Sequence, residues 1–262
     1  MKIFRVNLWT ILTLIVVCIA FLVILYQSCF HVAQFAAATR SVKTLIILDA
    51  GHGGEDGGAT GHSPVPEKVL NLAITQKLEK RLIESGCQVL MTRNSDTMLG
   101  DNSLSTLRER KASDIHKRAA ILQANPGCIF VSIHQNHFSD GVYSGAQVFY
   151  SKNNPRSAVL AEQIRQSIVA NVQPENKRKN KAATRSIYLL AHAQDPAVLV
   201  ECGFLSNDSE AQMLNDNQYQ QKMADAISHG VLQFVQQKNT VSSAGQDSNK
   251  GLYSSDASAI MK

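Results

Sequence analysis

Three apolar, strand-like runs each deliver an ionisable side chain at or just beyond their carboxyl end. The three side chains are His52, His134 and Glu201. A buried carboxylate that lacks a partner is costly, so one placed at a strand end usually binds a metal, moves a proton or pairs with another charge. Because the carboxyl ends of parallel strands meet at one edge of an α/β sheet, the three groups are predicted to share a site there.

A glycine-rich loop follows the first of these strands and contains His52. Its glycine spacing matches neither a dinucleotide-binding fingerprint nor a phosphate-binding loop. Glu67 comes later, directly after Pro66 at the start of a predicted helix, where a carboxylate can also simply stabilise the helix dipole. Two neutral imidazoles and one carboxylate are a ligand set of catalytic zinc that leaves a fourth position for water. His52, Glu67 and His134 are therefore predicted to be zinc ligands.

Glu201 then has a chemical role beside the predicted zinc. Zinc lowers the pKa of its bound water towards about 7. A neighbouring carboxylate can take a proton from that water and pass it to a leaving amine. The sequence therefore predicts metal-assisted hydrolysis of an amide or an ester, with Glu201 as the catalytic carboxylate.

Composition limits the classes of partner. The chain has 262 residues and a formal charge of +5, and Lys2, Arg5 and Arg40 carry three of these charges, which leaves +2 for the rest. That excess is too small to indicate nucleic acid. The basic run over residues 177–185 is interpreted as a solvated face, with an anion-facing loop as the alternative. The five cysteines contain no CxxC pair, which favours small buried hydrophobes over a disulfide framework.

The N-terminal segment resembles a membrane span. Residues 8–26 are almost uninterruptedly apolar and would extend nearly 30 Å as a helix at about 1.5 Å per residue. Lys2 and Arg5 precede the span, so the positive-inside rule places the rest of the chain on the extracytoplasmic side. Residues 1–27 are therefore predicted to be an anchor, with a cleaved secretion signal as the alternative, and residues 28–42 a linker.

The remaining chain is predicted to be one α/β domain over residues 43–237. Strand-like and helical runs alternate, which favours a twisted, mostly parallel β-sheet flanked by helices on both faces. Residues 238–262 are rich in Ser, Asn, Asp and Gly and are predicted to be disordered. Predicted strands cover residues 44–49, 88–92, 129–134, 146–150 and 198–201, and the main predicted helices lie near residues 67–85, 107–124, 157–171 and 218–236.

Four motifs together resemble the zinc-dependent N-acetylmuramoyl-L-alanine amidases of the amidase-3 family. They are residues 46–54, Glu67, residues 131–136 and residues 200–207, in that order along the chain. The resemblance covers about residues 44–236. It implies zinc ligation by His52, Glu67 and His134, catalysis by Glu201, and peptidoglycan as the substrate. The implied reaction cleaves the amide between N-acetylmuramic acid and L-alanine of the stem peptide.

Within this family, the chain is similar to the sporulation and germination-specific amidases of endospore formers. The similarity rests on a single N-terminal anchor, the absence of cell-wall-binding repeats, and the stretches at residues 91–96 and 107–112. It implies a role in making muramic-δ-lactam in the spore cortex. Three alternatives stay open: a membrane-tethered zinc peptidase, a peptidoglycan-binding protein without turnover, and an enzyme that depends on an outer-surface regulatory protein.

Four further polar residues lie in or near the motifs: His62, Arg93, Asn136 and His137. His137 stands where the family usually has a small residue, and it is interpreted as lining the cleft, with metal ligation as the alternative. His62 is predicted to be solvated. Asn136 and Arg93 are candidate substrate contacts, although a structural pairing is the favoured interpretation for Arg93 and for Arg118.

Overall fold

A computed structural model describes the backbone of residues 44–252 and the side chains of residues 44–237. Every described residue belongs to one compact unit, which begins at Thr44. The predicted anchor and linker, with the membrane span at residues 8–26, lie outside the described residues. Among the helices that the structure does describe, none is long and apolar enough to cross a bilayer.

The centre of the domain is a six-stranded sheet in the order β2-β1-β3-β6-β4-β5. The strands are β1 (Leu45–Ala50), β2 (Gln88–Met91), β3 (Ile129–Asn136), β4 (Gln147–Tyr150), β5 (Lys181–Ala182) and β6 (Ala197–Phe204). The first four strands in that order are parallel, but β4 is antiparallel to β6 and β5 is parallel to β4.

The sheet is therefore mixed rather than uniformly parallel. Residues 137–146, which connect β3 to β4, contain no helix. A strand parallel to β3 would have to begin at the opposite end of the sheet, which requires a crossover connection. Without one, β4 begins at the end where β3 stops and runs in the opposite direction. The two-residue strand β5 was not predicted, because it is too short to show an alternating pattern.

Helices cover both faces of the sheet, as predicted. They are α1 (Glu67–Glu84), α2 (Leu107–Gln123), α3 (Arg156–Asn171), α4 (Tyr188–His192), α5 (Asp208–Asn215) and α6 (Asn217–Leu252). Side chains of α1, α3 and α6 form one core with one face of the sheet, and side chains of α2 and α4 form a second core with the other. The five-residue helix α4 was not predicted, because one turn gives no periodic signal.

Helix α1 shows how the local sequence positions a site residue. Leu70, Ile74, Leu78 and Leu82 recur every fourth position and are all buried, which fixes the face that packs on the sheet. Pro66 precedes the helix, and Gly86, with a φ of 85°, follows it. These boundaries place Glu67 in the first turn of α1.

The last helix extends further than the sequence indicated. The helical backbone of α6 continues to Leu252, so the structure differs from the predicted disorder over residues 238–252. Extending an existing helix needs no new nucleus, and these residues include no proline. The prediction for residues 253–262 falls outside the described residues.

Candidate metal and catalytic site

The candidate site lies at the carboxyl edge of three neighbouring parallel strands. Strands β1 and β3 pair up to Ala50 and Ile133, and the amide of Gly51 continues the ladder by donating to the Ile133 carbonyl over 3.1 Å. On the next pair of strands His134 lies directly opposite Glu201. Because directly opposed residues project from the same face of a sheet, their side chains are neighbours.

The three predicted metal ligands converge at this edge. One donor atom from each of His52, Glu67 and His134 lies within 4.8 Å of the other two. Glu67 bridges the two rings, with Oε2 3.2 Å from His52 Nε2 and Oε1 3.0 Å from His134 Nδ1. The ring centroids are 4.9 Å apart. His137 is exposed and belongs to no such group among the described residues.

The Glu67 carboxylate is held in place by the protein. It is 2% exposed, and its Oε1 accepts hydrogen bonds from the Gln135 amide (3.0 Å) and the Asn71 side chain (3.1 Å). Its Oε2 accepts a hydrogen bond from the Ala59 amide over 2.7 Å. Burial acts to raise the pKa of Glu67, but the hydrogen bonds to the two histidines outweigh it and hold that pKa well below its usual range. The carboxylate is therefore ionised and held in one orientation, as a metal ligand requires.

His52 has a left-handed backbone conformation that residues other than glycine rarely adopt. Its φ is 63°, and it is the one residue other than glycine with a positive φ in the described chain. Its Nδ1 lies 2.8 Å from Asp56 Oδ2, which leaves Nε2 facing Glu67. Burial lowers the pKa of His52, but hydrogen bonds to Asp56 and Glu67 dominate and raise it to about 9. A carboxylate on the outer nitrogen is the usual device for orienting a metal-binding histidine.

Two glycines leave the room in which the three ligands meet. A Cβ at Gly51 would lie 2.2 Å from the His134 ring. A Cβ at Gly58 would lie 2.5 Å from Glu67 Oε2 and 2.7 Å from the His52 ring. Both positions thus require glycine for close approach, which gives a physical reason for the glycine-rich loop.

A buried ion pair between Asp49 and Arg118 stabilises the turn at His52. Asp49 is 1% exposed and accepts hydrogen bonds from Arg118, from the Thr92 hydroxyl (2.7 Å) and from the Ser132 hydroxyl (2.6 Å). Arg118 also donates to the His52 carbonyl over 2.7 Å. Burial opposes the charge on Asp49, but Arg118 and the hydroxyls prevail and hold its pKa at about 2.

Glu201 differs from the other acids of the site. Its Oε2 is buried and has no hydrogen-bond partner among the described residues. Burial raises the pKa of Glu201 to about 7, and the charge of Glu67 adds to the rise while His134 opposes it. An unpartnered carboxylate next to two imidazoles and a second carboxylate fits a hydrolytic metal centre, because such a group can exchange a proton near neutral pH.

The remaining sequence candidates lie in different settings. Arg93 is 3% exposed and donates to four backbone carbonyls, those of Ala50, Gly51, Lys68 and Ser95. The structure thus gives Arg93 the structural pairing that the sequence favoured over the alternative of a substrate contact. His62 is exposed, as predicted, and pairs with Asp208. Asn136 is half-buried at the end of β3, where its Oδ1 accepts a hydrogen bond from the His137 amide over 2.8 Å.

Sequence reasoning missed two residues that support the site, Asp49 and Asp56, and it gave Arg118 a structural pairing without naming the partner. Asp56 could have been found, since it lies four residues after His52 in the same loop. Asp49 carried the signal of a charge inside an apolar strand, but the sequence does not show its partner. Arg118 lies 69 positions away on α2 and meets Asp49 only in the folded chain.

Several known proteins are similar to this chain in sequence and fold. The family described as N-acetylmuramoyl-L-alanine amidase matches residues 46–233. A germination-specific N-acetylmuramoyl-L-alanine amidase of Bacillus subtilis (strain 168) is 36% identical over 194 residues, which span 74% of this chain and 81% of the relative. The solved CwlD amidase from Clostridioides difficile, in complex with the GerS lipoprotein, is 39% identical with a TM-score of 0.72, covering 74% of this chain and 99% of that chain.

A more distant solved relative agrees. The N-acetylmuramoyl-L-alanine amidase AmiC2 of Nostoc punctiforme is 30% identical with a TM-score of 0.62, and the similarity covers 75% of this chain and 99% of that chain. The family match spans most of the described domain and includes all three predicted ligands and Glu201. The chain therefore belongs to the N-acetylmuramoyl-L-alanine amidase family.

Proposed function

We propose that this amidase uses zinc to hydrolyse the amide between N-acetylmuramic acid and L-alanine in peptidoglycan. One observation carries the proposal: His52, Glu67 and His134 converge within 4.8 Å, next to a strand that presents Glu201 with an unpartnered oxygen. Two nitrogen donors and one carboxylate oxygen suit zinc and leave a position for water. When bound, zinc would supply a Lewis acid for the scissile carbonyl and a more acidic water.

The protein residues supply proton transfer and orientation. Glu201 takes the proton of the attacking water and returns it to the amine nitrogen of L-alanine as the C–N bond breaks. A pKa of about 7 suits Glu201 for both steps at neutral pH. Asp56 fixes the His52 ring through Nδ1, and the Asn71 side chain and the Gln135 amide fix Glu67, so the ligands need little rearrangement.

The biological setting is proposed from the relatives and the N-terminal sequence. The Bacillus subtilis relative is germination-specific, which supports a role in spore cortex maturation through muramic-δ-lactam formation. The apolar segment at residues 8–26 supports anchoring on the extracytoplasmic face of the membrane, where peptidoglycan lies. The complex of the Clostridioides difficile amidase with a lipoprotein supports an outer-surface protein partner for this chain as well.

Muropeptide mass analysis tests the proposed reaction. The purified full chain, loaded with zinc, is incubated with sacculi, and the products are compared with those of a chelated sample. We expect free L-alanine amino termini, which should appear only with the metal, and glycan that stays intact in both samples. New termini within the stem peptide would identify a zinc peptidase instead.

Asn136, at the end of β3, is the proposed polar contact for substrate, and Asn136→Ala is expected to raise KM.

A further inference from the structure

A positively charged segment lies beside β4, the strand that pairs with the one carrying Glu201. We define the cationic segment as residues 176–181, which contain Lys177, Arg178, Lys179 and Lys181. The three lysines are exposed, whereas Arg178 is half-buried. None of these charged residues belongs to the two hydrophobic cores. Their role therefore depends on their position relative to the site.

Gln147 ties the cationic segment to the catalytic strand. It lies directly opposite Glu201 in the antiparallel pair of β4 and β6. Its Nε2 donates to the Lys179 carbonyl over 2.9 Å, and its Oε1 accepts from Arg178 Nη2 over 2.7 Å. Asn176 adds a further link by donating to the Ala146 carbonyl over 2.9 Å. Arg178 is thus separated from Glu201 by a single side chain across the sheet.

The guanidinium of Arg178 retains unused hydrogen-bonding capacity. Its Cζ lies 4.8 Å from the centre of the Phe204 ring, which fixes the plane of the group. Nη2 is the one nitrogen of this guanidinium that donates to a described residue, and Nε is buried and closed to a ligand, so the spare donors are Nη1 and the second hydrogen of Nη2. A guanidinium in a fixed plane with spare donors is suited to a carboxylate, which it can bind through two parallel hydrogen bonds.

An open groove leads to this guanidinium. A cavity of about 760 Å³ is lined by Lys177, Arg178, Ser144 and Asn207, among others. It also contains two acids, Glu175 and Glu210. The Glu210 oxygens already accept backbone hydrogen bonds from Gly145 (2.9 Å) and Phe204 (2.8 Å), while Glu175 is exposed. The hydrogen-bond donors that remain to meet a ligand at the inner end of the groove belong to Arg178, although the Glu210 carboxyl also lies within electrostatic reach of that guanidinium.

We propose that Arg178 and its neighbouring lysines recognise a free carboxylate on the second residue of the stem peptide. The inference rests on the proposed function. Directly opposed residues of an antiparallel pair lie about 5 Å apart, and a peptide advances at most about 3.6 Å per residue. The second residue after the scissile amide therefore falls within reach of a guanidinium next to Gln147. Arg178 is a specificity-determining residue in this account, and amidation of that carboxyl group weakens the substrate.

Matched peptidoglycan fragments test this proposal. They carry the same glycan and a stem tripeptide, and differ only in a free or amidated α-carboxyl group on the second residue. The full-length wild-type enzyme is expected to show a higher kcat/KM for the free carboxylate. Arg178→Gln should reduce kcat/KM for that fragment by about tenfold, mainly through KM, and leave the amidated fragment unchanged.

Further variants separate recognition from folding. The exposed pair Lys177→Gln and Lys179→Gln should shift the preference in the same direction by roughly two- to fivefold, and Arg178→Lys should restore part of it. Lys80→Gln removes one exposed charge from α1 and should change neither fragment. Equal hydrolysis of both fragments by wild type, or an equal loss on both in Arg178→Gln, would overturn this inference alone. Hydrolysis of neither fragment by wild type would overturn the proposed function with it.

Discussion

Asp49 and Glu201 are two carboxylates in strands of the same sheet, and their surroundings are opposite. Asp49 accepts hydrogen bonds from Arg118, Thr92 and Ser132, which keep its pKa at about 2. Glu201 has an oxygen without a partner among the described residues, and burial raises its pKa to about 7. Asp49 therefore stabilises the site, whereas Glu201 is free to react in it.

The difference follows from the groups that surround each carboxylate. Asp49 faces α2, which supplies the guanidinium that neutralises it. Glu201 lies opposite His134 and Gln147, neither of which donates to it in the structure. Burial of a charge without such compensation is unfavourable, and proteins keep it mainly where chemistry requires it.

Glu201→Gln should produce the largest effect on activity. The amide keeps the shape of the side chain but cannot accept the proton of the attacking water. We expect kcat to fall by roughly 10² to 10⁴-fold, with little change in thermal stability. Hydrolysis of sacculi measures the loss, and circular dichroism checks the fold. Retention of most activity would mean that Glu201 is not the proton acceptor.

Asp49→Asn should instead affect stability. It leaves the buried Arg118 without its main counter-charge, so we expect a loss of about 3–5 kcal/mol in the free energy of unfolding. Urea denaturation measures this loss. The matched control is Asp225→Asn, which removes a partly exposed pair with Arg81 and should cost less than about 1 kcal/mol. A similar cost for both variants would contradict the distinction between the two pairs.

Asp56→Asn sharpens the comparison at the metal. It weakens the carboxylate contact that orients His52 without removing a ligand. We expect zinc affinity to fall by roughly 10- to 100-fold, as measured by competition with a chromophoric chelator. Glu55→Gln, a change at an exposed neighbour, is the control. Unchanged affinity in Asp56→Asn would show that the His52 turn alone fixes the ring.

The pH dependence of stability should show the smallest effect. The pKa of Asp49 is lower in the folded chain than in the unfolded chain, so the unfolded chain binds this proton first as the pH falls. The stabilisation is therefore complete above about pH 4 and is lost as the pH falls towards 2, by about 2 kcal/mol. Urea unfolding at several pH values measures it. The Asp49→Asn variant should lack this contribution, and an identical pH profile would assign the acid sensitivity to other groups.

The sequence predicted the residues of the site better than the residues that hold them in place. His52, His134 and Glu201 were recognisable because apolar strands with polar ends show where parallel strands terminate. Arg118 and Asp49 were not paired in advance, since their contact joins α2 to β1 and depends on tertiary packing. The reversed direction of β4 was missed as well. Alternation of strands and helices does not reveal a connection that contains no helix.

Zinc content of the full-length chain and its variants tests whether His52, Glu67 and His134 hold a metal ion. We expect about one zinc per chain in the wild type, in Glu201→Gln and in His137→Ala, and a several-fold loss in His134→Ala. Full occupancy in His134→Ala together with loss in His137→Ala would move the metal to the exposed imidazole. Loss in Glu201→Gln would make Glu201 a ligand, and would contradict its assignment as the carboxylate that moves the proton.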